Sequence, residues 1–281
     1  MLTILEIIKK TTDFFEKRGV ESARLNAELL VGHALGLKRM QLYIQFERLL
    51  AESELEKIRP LVKRRSNREP LQHILGTTEF AGLTLKVDRR ALIPRPETEY
   101  LVELLVQRLV IRPARVLDLG TGSGAIALAL AKAWPESKIV AVEQSEDALA
   151  LACENMAAVG LDSSVEFVRS DWFERVPVDD KFELIVSNPP YLSDEETDAA
   201  SPEVKDHEPR QALSAGPDGA VALEKIIRES RGRLMPGGSL ALETGIAQHG
   251  RLLALLQSEG YSGSESLKDL TGRDRFVLAA L

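Results

Sequence analysis

The N-terminal quarter of the chain has apolar residues at helical spacing. Leucine, isoleucine and phenylalanine side chains recur on approximately one face between Leu2 and Phe15, which is typical of an amphipathic helix that covers a core. Glycine and serine residues supply the expected helix ends, and Pro60 predicts a kink or a break. We therefore predict a helical bundle as a separate domain at 1–70. Its helices are expected before Gly19, between Ser22 and Gly36, over 40–46 and over 52–67.

Short β-like segments replace the helical pattern at residues 71–96. The run 83–87 alternates apolar and polar side chains, and glycine and proline residues separate it from its neighbours. This pattern is typical of a β-hairpin. We predict that the hairpin forms a linker between two domains.

Helical and strand-like segments alternate over residues 97–281. The strand-like segments are short apolar runs, and helix-length segments separate most of them. Such alternation predicts an α/β domain built on a mostly parallel, doubly wound sheet. The expected strands cover 115–119, 138–142, 165–169, 182–187, 239–243 and 275–279. The expected helices cover 99–110, 124–134, 145–158, 220–234 and 248–258.

Composition is that of an ordinary globular protein. The 281 residues are 44% hydrophobic and 28% charged, and no apolar run approaches the length of a membrane span. The N-terminus lacks the layout of a signal peptide, so we expect a cytoplasmic protein, and a monomer. We expect the single cysteine, Cys153, to be a small buried hydrophobe rather than a catalytic thiol. The four histidines show no metal-ligand spacing, so no metal site is expected.

Charge is distributed unevenly along the chain. The formal net charge is −7 at pH 7, yet residues 1–112 carry a net +5 and residues 113–281 a net −12. A basic N-terminal part could dock on an acidic partner or contact RNA. An acidic C-terminal part disfavours a catalytic domain laid along a phosphate backbone. Solvated faces are the plainer interpretation, and the sequence leaves both open.

A glycine-rich segment follows the first predicted strand of the α/β domain. The run Gly120-Thr121-Gly122-Ser123-Gly124 lies between this strand and a predicted helix, where glycines let the backbone approach a ligand closely. The next predicted strand is followed by Glu143, 19 residues after Gly124, and a carboxylate there can accept hydrogen bonds from both hydroxyls of a ribose. Because the run also fits the dinucleotide fingerprint, an NAD-dependent dehydrogenase stays open at this point.

Two further features favour S-adenosylmethionine over NAD. Asp118 shortly precedes the glycine run, where a carboxylate would repel a pyrophosphate but attract the ammonium group of S-adenosylmethionine. The second feature is the tetrapeptide 188–191, which has no function in hydride transfer. Asp171 and Trp172 follow the third predicted strand, where Asp171 could accept from the adenine amino group and Trp172 could stack on the ring. A core position for Trp172 is the alternative.

The tetrapeptide Asn188-Pro189-Pro190-Tyr191 follows an apolar strand. It is therefore expected at the carboxyl end of that strand, where open α/β sheets bind ligands. Two prolines cannot donate ladder hydrogen bonds, so they end the strand in a stiff corner. The corner offers carbonyl oxygens, one amide and one aromatic ring. This set can hold a planar NH₂ group by both hydrogens, so we expect all four residues to form the catalytic and substrate-binding site.

Further motifs are spread over nearly the whole chain, in segments 23–30, 69–76, 92–99, 207–213, 216–219 and 268–275. Together they resemble the motifs of the HemK/PrmC-type release factor glutamine methyltransferases. The motifs of the linker and of a late loop are specific to that family, whereas the glycine run and the tetrapeptide are shared with other methyltransferases.

The resemblance implies a fold, a reaction and a set of contacts. The implied fold is the seven-stranded class I S-adenosylmethionine-dependent methyltransferase fold, with an N-terminal helical domain that recognises the substrate. Members of the family methylate the side-chain amide of the glutamine in the Gly-Gly-Gln motif of peptide chain release factors. By match to the family, residues 120–124, Glu143, Trp172 and Asn188 would lie at the cofactor, and residues 188–191 would hold the glutamine. Glu143 stands where the family more often has aspartate.

Two other functions stay open from the residues alone. An adenine N6-methyltransferase on DNA or RNA would use the same tetrapeptide, because the exocyclic amine of adenine is also a planar NH₂ group. The acidic catalytic half and the lack of an added target-reading domain disfavour it, and no stable complex with nucleic acid or membrane is expected. A binding module that kept the cofactor pocket but lost catalysis is the second alternative, which the intact residues 188–191 disfavour.

Overall fold

The computed structural model describes residues 2–161 and 164–281. The chain divides into two compact units. The first contains Met1–Gly76 and Ser201–His207, and the second contains Thr77–Ala200 and Glu208–Leu281. No helix in the described ranges is both long and apolar enough to cross a membrane.

The predicted helices and strands occur in the predicted order, and the structure adds elements that the sequence pattern did not predict, at 71–75, 194–199, 202–205 and 263–268. The helices are α1 (Ile4–Lys17), α2 (Ala23–Leu35), α3 (Arg39–Ile44), α4 (Glu52–Ser66), α5 (Leu71–Leu75), α6 (Pro96–Arg108), α7 (Ala125–Ala133), α8 (Glu146–Val159), α9 (Asp194–Ala199), α10 (Pro202–Lys205), α11 (Val221–Arg231) and α12 (His249–Ser258). The strands are β1 (Thr77–Phe80), β2 (Leu83–Lys86), β3 (Arg115–Leu119), β4 (Lys138–Glu143), β5 (Val165–Arg169), β6 (Phe182–Ser187), β7 (Leu234–Glu243), β8 (Gly263–Lys268) and β9 (Asp274–Ala280).

The first unit is a helical bundle that buries the apolar faces of α1, α2 and α4 against one another. The predicted end of α2 at Gly36 is confirmed, since Gly36 has the left-handed φ that favours glycine. Ser22 precedes α2 as predicted, but its side chain makes no capping hydrogen bond. Pro60 lies inside α4 without breaking it.

The segment Ser201–His207 belongs to this helical unit although it is distant in sequence. Glu203 accepts hydrogen bonds from Arg65 at 2.9 Å and from Arg68 at 2.7 Å. Arg65 is buried, and its Nε also donates to Asn26. A buried guanidinium requires such partners, so the half-buried carboxylate of Glu203 stabilises the structure of this unit.

The second unit is built on a seven-stranded sheet with the order β5-β4-β3-β6-β7-β9-β8. Neighbouring strands from β5 to β7 are parallel, whereas β9 is antiparallel to both of its neighbours. The predicted mostly parallel, doubly wound α/β fold is therefore confirmed. The strands β1 and β2 form a separate antiparallel hairpin in the same unit.

The direction in which the chain builds the sheet reverses at β3. The chain proceeds from β3 to β4 and β5 on one side, and β6 and β7 extend the sheet on the other. Open α/β sheets bind ligands at such a switch point, outside the carboxyl ends of the strands. Leu119 pairs with Ser187, whose hydroxyl donates to the Leu119 carbonyl at 2.6 Å. The glycine run and the tetrapeptide consequently start side by side.

One prediction about the core was wrong. Cys153 is exposed rather than buried. The buried stripe of α8 consists of Ala148, Leu151, Ala152 and Asn155, which recur at three- and four-residue spacing. Position 153 falls outside that stripe, so the thiol faces solvent.

Candidate active site

An open cavity lies in the α/β unit at the carboxyl ends of β3 to β6. Residues that follow each of these four strands form its wall, as the switch point requires. Nine of the sequence-predicted site residues line it: Gly120, Thr121, Gly122, Ser123, Glu143, Asp171, Trp172, Asn188 and Pro190. The remaining four, which do not line it, are Asp118, Gly124, Pro189 and Tyr191.

The glycine run is shaped by the ring of Trp172. Gly120 has a φ of +70°, and a Cβ at this position would lie 3.4 Å from the Trp172 ring. Trp172 itself adopts a left-handed φ of +49°, which is rare for an aromatic residue. Such a conformation persists only where surrounding contacts impose it, and it is concentrated at functional sites. The indole therefore covers the start of the loop and walls the cavity beside it.

Asp118 supports the glycine run from beneath rather than lining the cavity, contrary to the contact expected from the sequence. The side chain is fully buried. One oxygen, Oδ2, accepts from Thr121 Oγ1 at 2.6 Å and from the Ala127 amide at 3.2 Å. Burial raises the pKa of the Asp118 carboxyl to about 7, and nearby Glu143 acts in the same direction. Oδ1 has no hydrogen-bond partner among the described residues.

Glu143 holds the loop and still faces the cavity. Its Oε2 accepts from the Gly122 amide at 3.0 Å and its Oε1 from the Ser145 amide at 2.9 Å. A carboxylate has about four acceptor positions, so these two bonds leave capacity for further donors. The arrangement can accept hydrogen bonds from a diol such as that of a ribose.

The tetrapeptide is tied to two residues that the sequence reasoning did not select. Asn188 Nδ2 donates to Thr98 Oγ1 at 2.9 Å, and Thr98 Oγ1 donates to Glu243 Oε2 at 2.7 Å. Tyr191 donates its hydroxyl to the other oxygen of Glu243 at 3.1 Å. One carboxylate thus connects both ends of the tetrapeptide.

Glu243 is almost fully buried, with 1% of its surface exposed. Burial raises its pKa to about 7, although hydrogen bonds from Thr98 and Tyr191 lower it. Burial and the Glu243 charge raise the pKa of Tyr191, which therefore stays protonated and can donate. The Arg275 guanidinium lies 5.7 Å from the centre of the Tyr191 ring and donates to its hydroxyl at 3.3 Å.

Gly219 lets the late loop pack against the tetrapeptide. A Cβ at Gly219 would lie only 2.4 Å from the Tyr191 carbonyl oxygen, and its φ is +68°. Gln248 Nε2 donates to the carbonyls of both Tyr191 and Gly219, at 2.9 and 3.0 Å. The motif 216–219, which had no assigned function in the sequence, therefore fixes the position of the tetrapeptide.

The linker motif and the late loop form another part of the cavity wall. Glu208 is buried, and it accepts from the Ile93 amide at 3.3 Å and from the Arg95 guanidinium. Burial raises the pKa of Glu208, while the charge of Arg95 opposes this. These contacts hold together two segments that both reach the cavity. Their lining residues are Leu92, Pro94, Arg95, Pro209, Gln211 and Ala212.

Thr98, Glu243 and Arg275 are the functional candidates that sequence reasoning missed. Thr98 and Arg275 lie in segments that carry the family resemblance, 92–99 and 268–275, so a signal was present but gave no role. Glu243 was noted only as the end of a strand. Its importance follows from the burial of a carboxylate, which sequence patterns do not report.

This sheet, with a glycine run at its switch point and an acid after the next strand, defines a class I S-adenosylmethionine-dependent methyltransferase. Family models describe residues 6–76 as a PrmC N-terminal domain and residues 97–250 as a methyltransferase small domain. The chain belongs to the release factor glutamine methyltransferase family.

Two curated relatives carry that family name. The protein of Rhodopirellula baltica is 40% identical, covering 98% of this chain and 95% of its own length. The protein of Geobacter sulfurreducens is 43% identical, with the same two shares. Membership in this family sets aside the NAD-dependent dehydrogenase that the glycine run alone left open.

Among solved structures, the catalytic domain of hMettl16 in complex with a MAT2A 3'UTR hairpin has the same fold. Its TM-score is 0.58 at 19% identity, over 78% of this chain and 80% of that one. At this identity the likeness concerns the fold alone.

Proposed function

We propose that this protein transfers a methyl group from S-adenosylmethionine to the side-chain amide nitrogen of the glutamine in the Gly-Gly-Gln motif of a peptide chain release factor. The names of its curated relatives support the substrate class. The observation that carries the proposal is the hydrogen bonding of the Asn188 side-chain amide. Its Nδ2 is committed to Thr98, whereas nothing in the described part of the chain donates to its Oδ1.

The residues at the cavity fit the donor. Glu143 has acceptor positions left for ribose hydroxyls, Asp171 and Trp172 offer an acceptor and a ring for adenine, and the glycine run permits close approach. Asp118 contributes negative charge under the loop, toward which the ammonium group would be drawn. When bound, the donor supplies a sulfonium-activated methyl group.

The tetrapeptide would prepare the substrate nitrogen. An amide nitrogen is a weak nucleophile, because its lone pair is delocalised into the carbonyl group. Asn188 Oδ1 and the Pro189 carbonyl oxygen each accept one hydrogen of the glutamine NH₂ group. Fixing both hydrogens aims the nitrogen at the methyl group and stabilises the positive charge that develops on nitrogen. Tyr191 lies beside this corner, where its ring can exclude water.

The reaction is a direct displacement. A bond forms between the amide nitrogen and the methyl carbon while the bond from that carbon to sulfur breaks. The nitrogen then releases one proton to solvent. The chain residues in this scheme orient the substrate and accept hydrogen bonds, and none forms a covalent intermediate.

The proposal also assigns the parts of the chain. The helical domain at 1–70 recognises the release factor, residues 71–96 link it to the catalytic domain at 97–281, and the reaction takes place in the cytoplasm on a monomeric enzyme. A stable complex with nucleic acid is not part of it.

Mass spectrometry of a release factor incubated with the protein and S-adenosylmethionine tests the proposal. We expect a mass gain of one CH₂ group on the Gly-Gly-Gln glutamine, and no gain when that glutamine is replaced by alanine. Labelled cofactor offered with DNA and RNA in parallel tests the adenine N6-methyltransferase. Label in nucleic acid together with an unmodified release factor would overturn the proposal.

A further inference from the structure

The orientation of the Asn188 amide is set by residues on two other elements. Thr98 is the third residue of α6, and Glu243 is the last residue of β7. Ser187 pairs with Leu242 in the parallel ladder between β6 and β7, so Asn188 and Glu243 leave the sheet next to each other. The Thr98 hydroxyl is hydrogen-bonded to both side chains.

The direction of these hydrogen bonds follows from the number of available protons. An ionised carboxylate only accepts, so Thr98 must give its single hydroxyl hydrogen to Glu243. The Thr98 oxygen can then only accept from Asn188. The amide group that faces it must be the NH₂ end, which leaves Oδ1 on the opposite side of the side chain.

We propose that Thr98 and Glu243 are positioning residues that hold the Asn188 amide with Oδ1 toward the substrate. This inference rests on the proposed function, because the group that Oδ1 receives is the glutamine NH₂. Without the Thr98 acceptor, the two ends of the Asn188 amide are nearly equal in shape, and the amide can turn. A turned amide would present NH₂ to NH₂ and repel the substrate nitrogen.

The buried charge also strengthens the acceptor. Hydrogen bonds in a row polarise one another when they run in the same direction in a medium of low dielectric constant. Here the row runs from Asn188 through Thr98 to an anion that is 1% exposed. Electron density in the Asn188 amide is drawn toward Oδ1, the atom that would stabilise the positive charge developing on the substrate nitrogen.

Two substitutions at position 98 separate positioning from packing. Thr98→Val keeps the side-chain shape but removes the acceptor, and Thr98→Ser keeps the acceptor but removes a methyl group. In single-turnover methylation of a release factor at saturating cofactor, we expect Thr98→Val to lose about 100-fold in rate. Thr98→Ser should keep most of the wild-type rate. Cofactor affinity, measured by calorimetry, should change little in either variant.

Thr197→Val serves as a matched control for deleting a buried threonine hydroxyl. Thr197 is also nearly fully buried, and its hydroxyl donates to the Ser193 carbonyl at 2.8 Å, within α9 and its cap. Both valine variants should melt at lower temperature than the wild type, but only Thr98→Val should lose methylation rate. Equal loss of rate in both would mean that the effect is one of stability.

A double-mutant cycle tests whether Thr98 acts through Asn188. If Thr98 acts through Asn188, then Thr98→Val should add little to the loss already caused by Asn188→Ala. Losses that multiply would overturn the positioning role. A wild-type protein that fails to methylate release factor would overturn the proposed function instead, whereas a wild-type rate in Thr98→Val would overturn only this inference.

Discussion

At the scale of single residues, the two ends of the Asn188 amide have different environments. Its NH₂ end donates to Thr98, no described residue donates to its oxygen, and the residue lines the cavity. Removing this side chain should therefore affect the reacting group far more than the cofactor.

We expect Asn188→Ala to lower kcat by about 100- to 1,000-fold, because one of the two aimed acceptors is lost. Cofactor affinity should weaken only slightly. Steady-state methylation and calorimetry measure the two effects separately. A near wild-type rate would show that Asn188 Oδ1 does not hold the substrate amide.

For Glu143→Ala we expect the reverse pattern, in which cofactor affinity is affected more than kcat. The variant loses the proposed acceptor for ribose and also the bonds to the Gly122 and Ser145 amides. Hydrogen bonds to a charged group contribute about 1.5–3 kcal/mol, so cofactor affinity should fall roughly 10- to 100-fold. Titration calorimetry checks this, and unchanged affinity would remove Glu143 from the ribose site.

Glu243 predicts a dependence of turnover on pH. Its pKa is raised to about 7 by burial, and the charged and titratable groups that act on it are Tyr191, Arg275 and Glu97. Only the ionised form fixes the direction of the hydrogen bonds through Thr98. Turnover should therefore fall as pH decreases through about 7.

Glu243→Gln tests whether protonation of Glu243 causes the fall in turnover at low pH. The uncharged amide can face Thr98 with either end, so turnover should be lower than in the wild type. The pKa of Asp118 is also about 7, so Asp118 could contribute to the same fall in turnover at low pH. The part of that fall that is absent in Glu243→Gln is the part caused by Glu243. The same fall in turnover at low pH in Glu243→Gln as in the wild type would contradict this assignment.

At the scale of elements, the sequence pattern predicted apolar elements and missed polar ones. The strands β3, β5 and β6 start and end where the pattern placed them, since the apolar residues of each are buried or half-buried. Strand β8 has a polar sequence at the edge of the sheet, so it carries no hydrophobic signal. Helix α5 has only five residues, too few for a periodic pattern.

The same limit applies to the site. The glycine run and the tetrapeptide are contiguous in sequence and could be found there. The bond between Thr98 and Glu243 joins residues 145 positions apart, and it exists because of the β6–β7 register. Local patterns contain no information about such a pairing.

Two glycines with similar backbone angles give a test of the late loop. Gly219 and Gly237 have φ values of +68° and +77°, but only at Gly219 would a Cβ meet other atoms within 4 Å. Alanine at either position should cost about 1–2 kcal/mol of stability, because of the left-handed backbone. Gly219→Ala should in addition displace Tyr191 and lower kcat. Chemical unfolding and methylation assays of both variants check this, and equal kcat values would contradict it.

At the scale of the whole molecule, two buried carboxyl groups link stability to pH. Asp118 and Glu243 have pKa values of about 7 when folded, against ordinary values of 3.8 and 4.5. A raised pKa in the folded state favours the neutral form. The stability that each group contributes is therefore fully present below its ordinary pKa and is lost as pH rises through about 7.

Glu243→Gln should reveal this loss, because the variant is neutral at every pH. Its free energy of unfolding should exceed that of the wild type by up to about 3 kcal/mol at mildly alkaline pH, and the difference should shrink toward zero near the ordinary pKa. Urea unfolding at a series of pH values measures it. A difference that grows toward acid pH would have the wrong sign.

The excursion of Ser201–His207 into the helical unit has a topological consequence. The chain passes between the two units after Gly76, after Ala200 and after His207. A protease that cleaves once at the first of these junctions would leave two covalent tethers intact. If the N-terminal fragment were expressed alone, Arg65 would lack the carboxylate of Glu203 to which it donates a hydrogen bond. Biochemists who wish to separate the units, or to graft the helical one onto another enzyme, must therefore carry both pieces of chain.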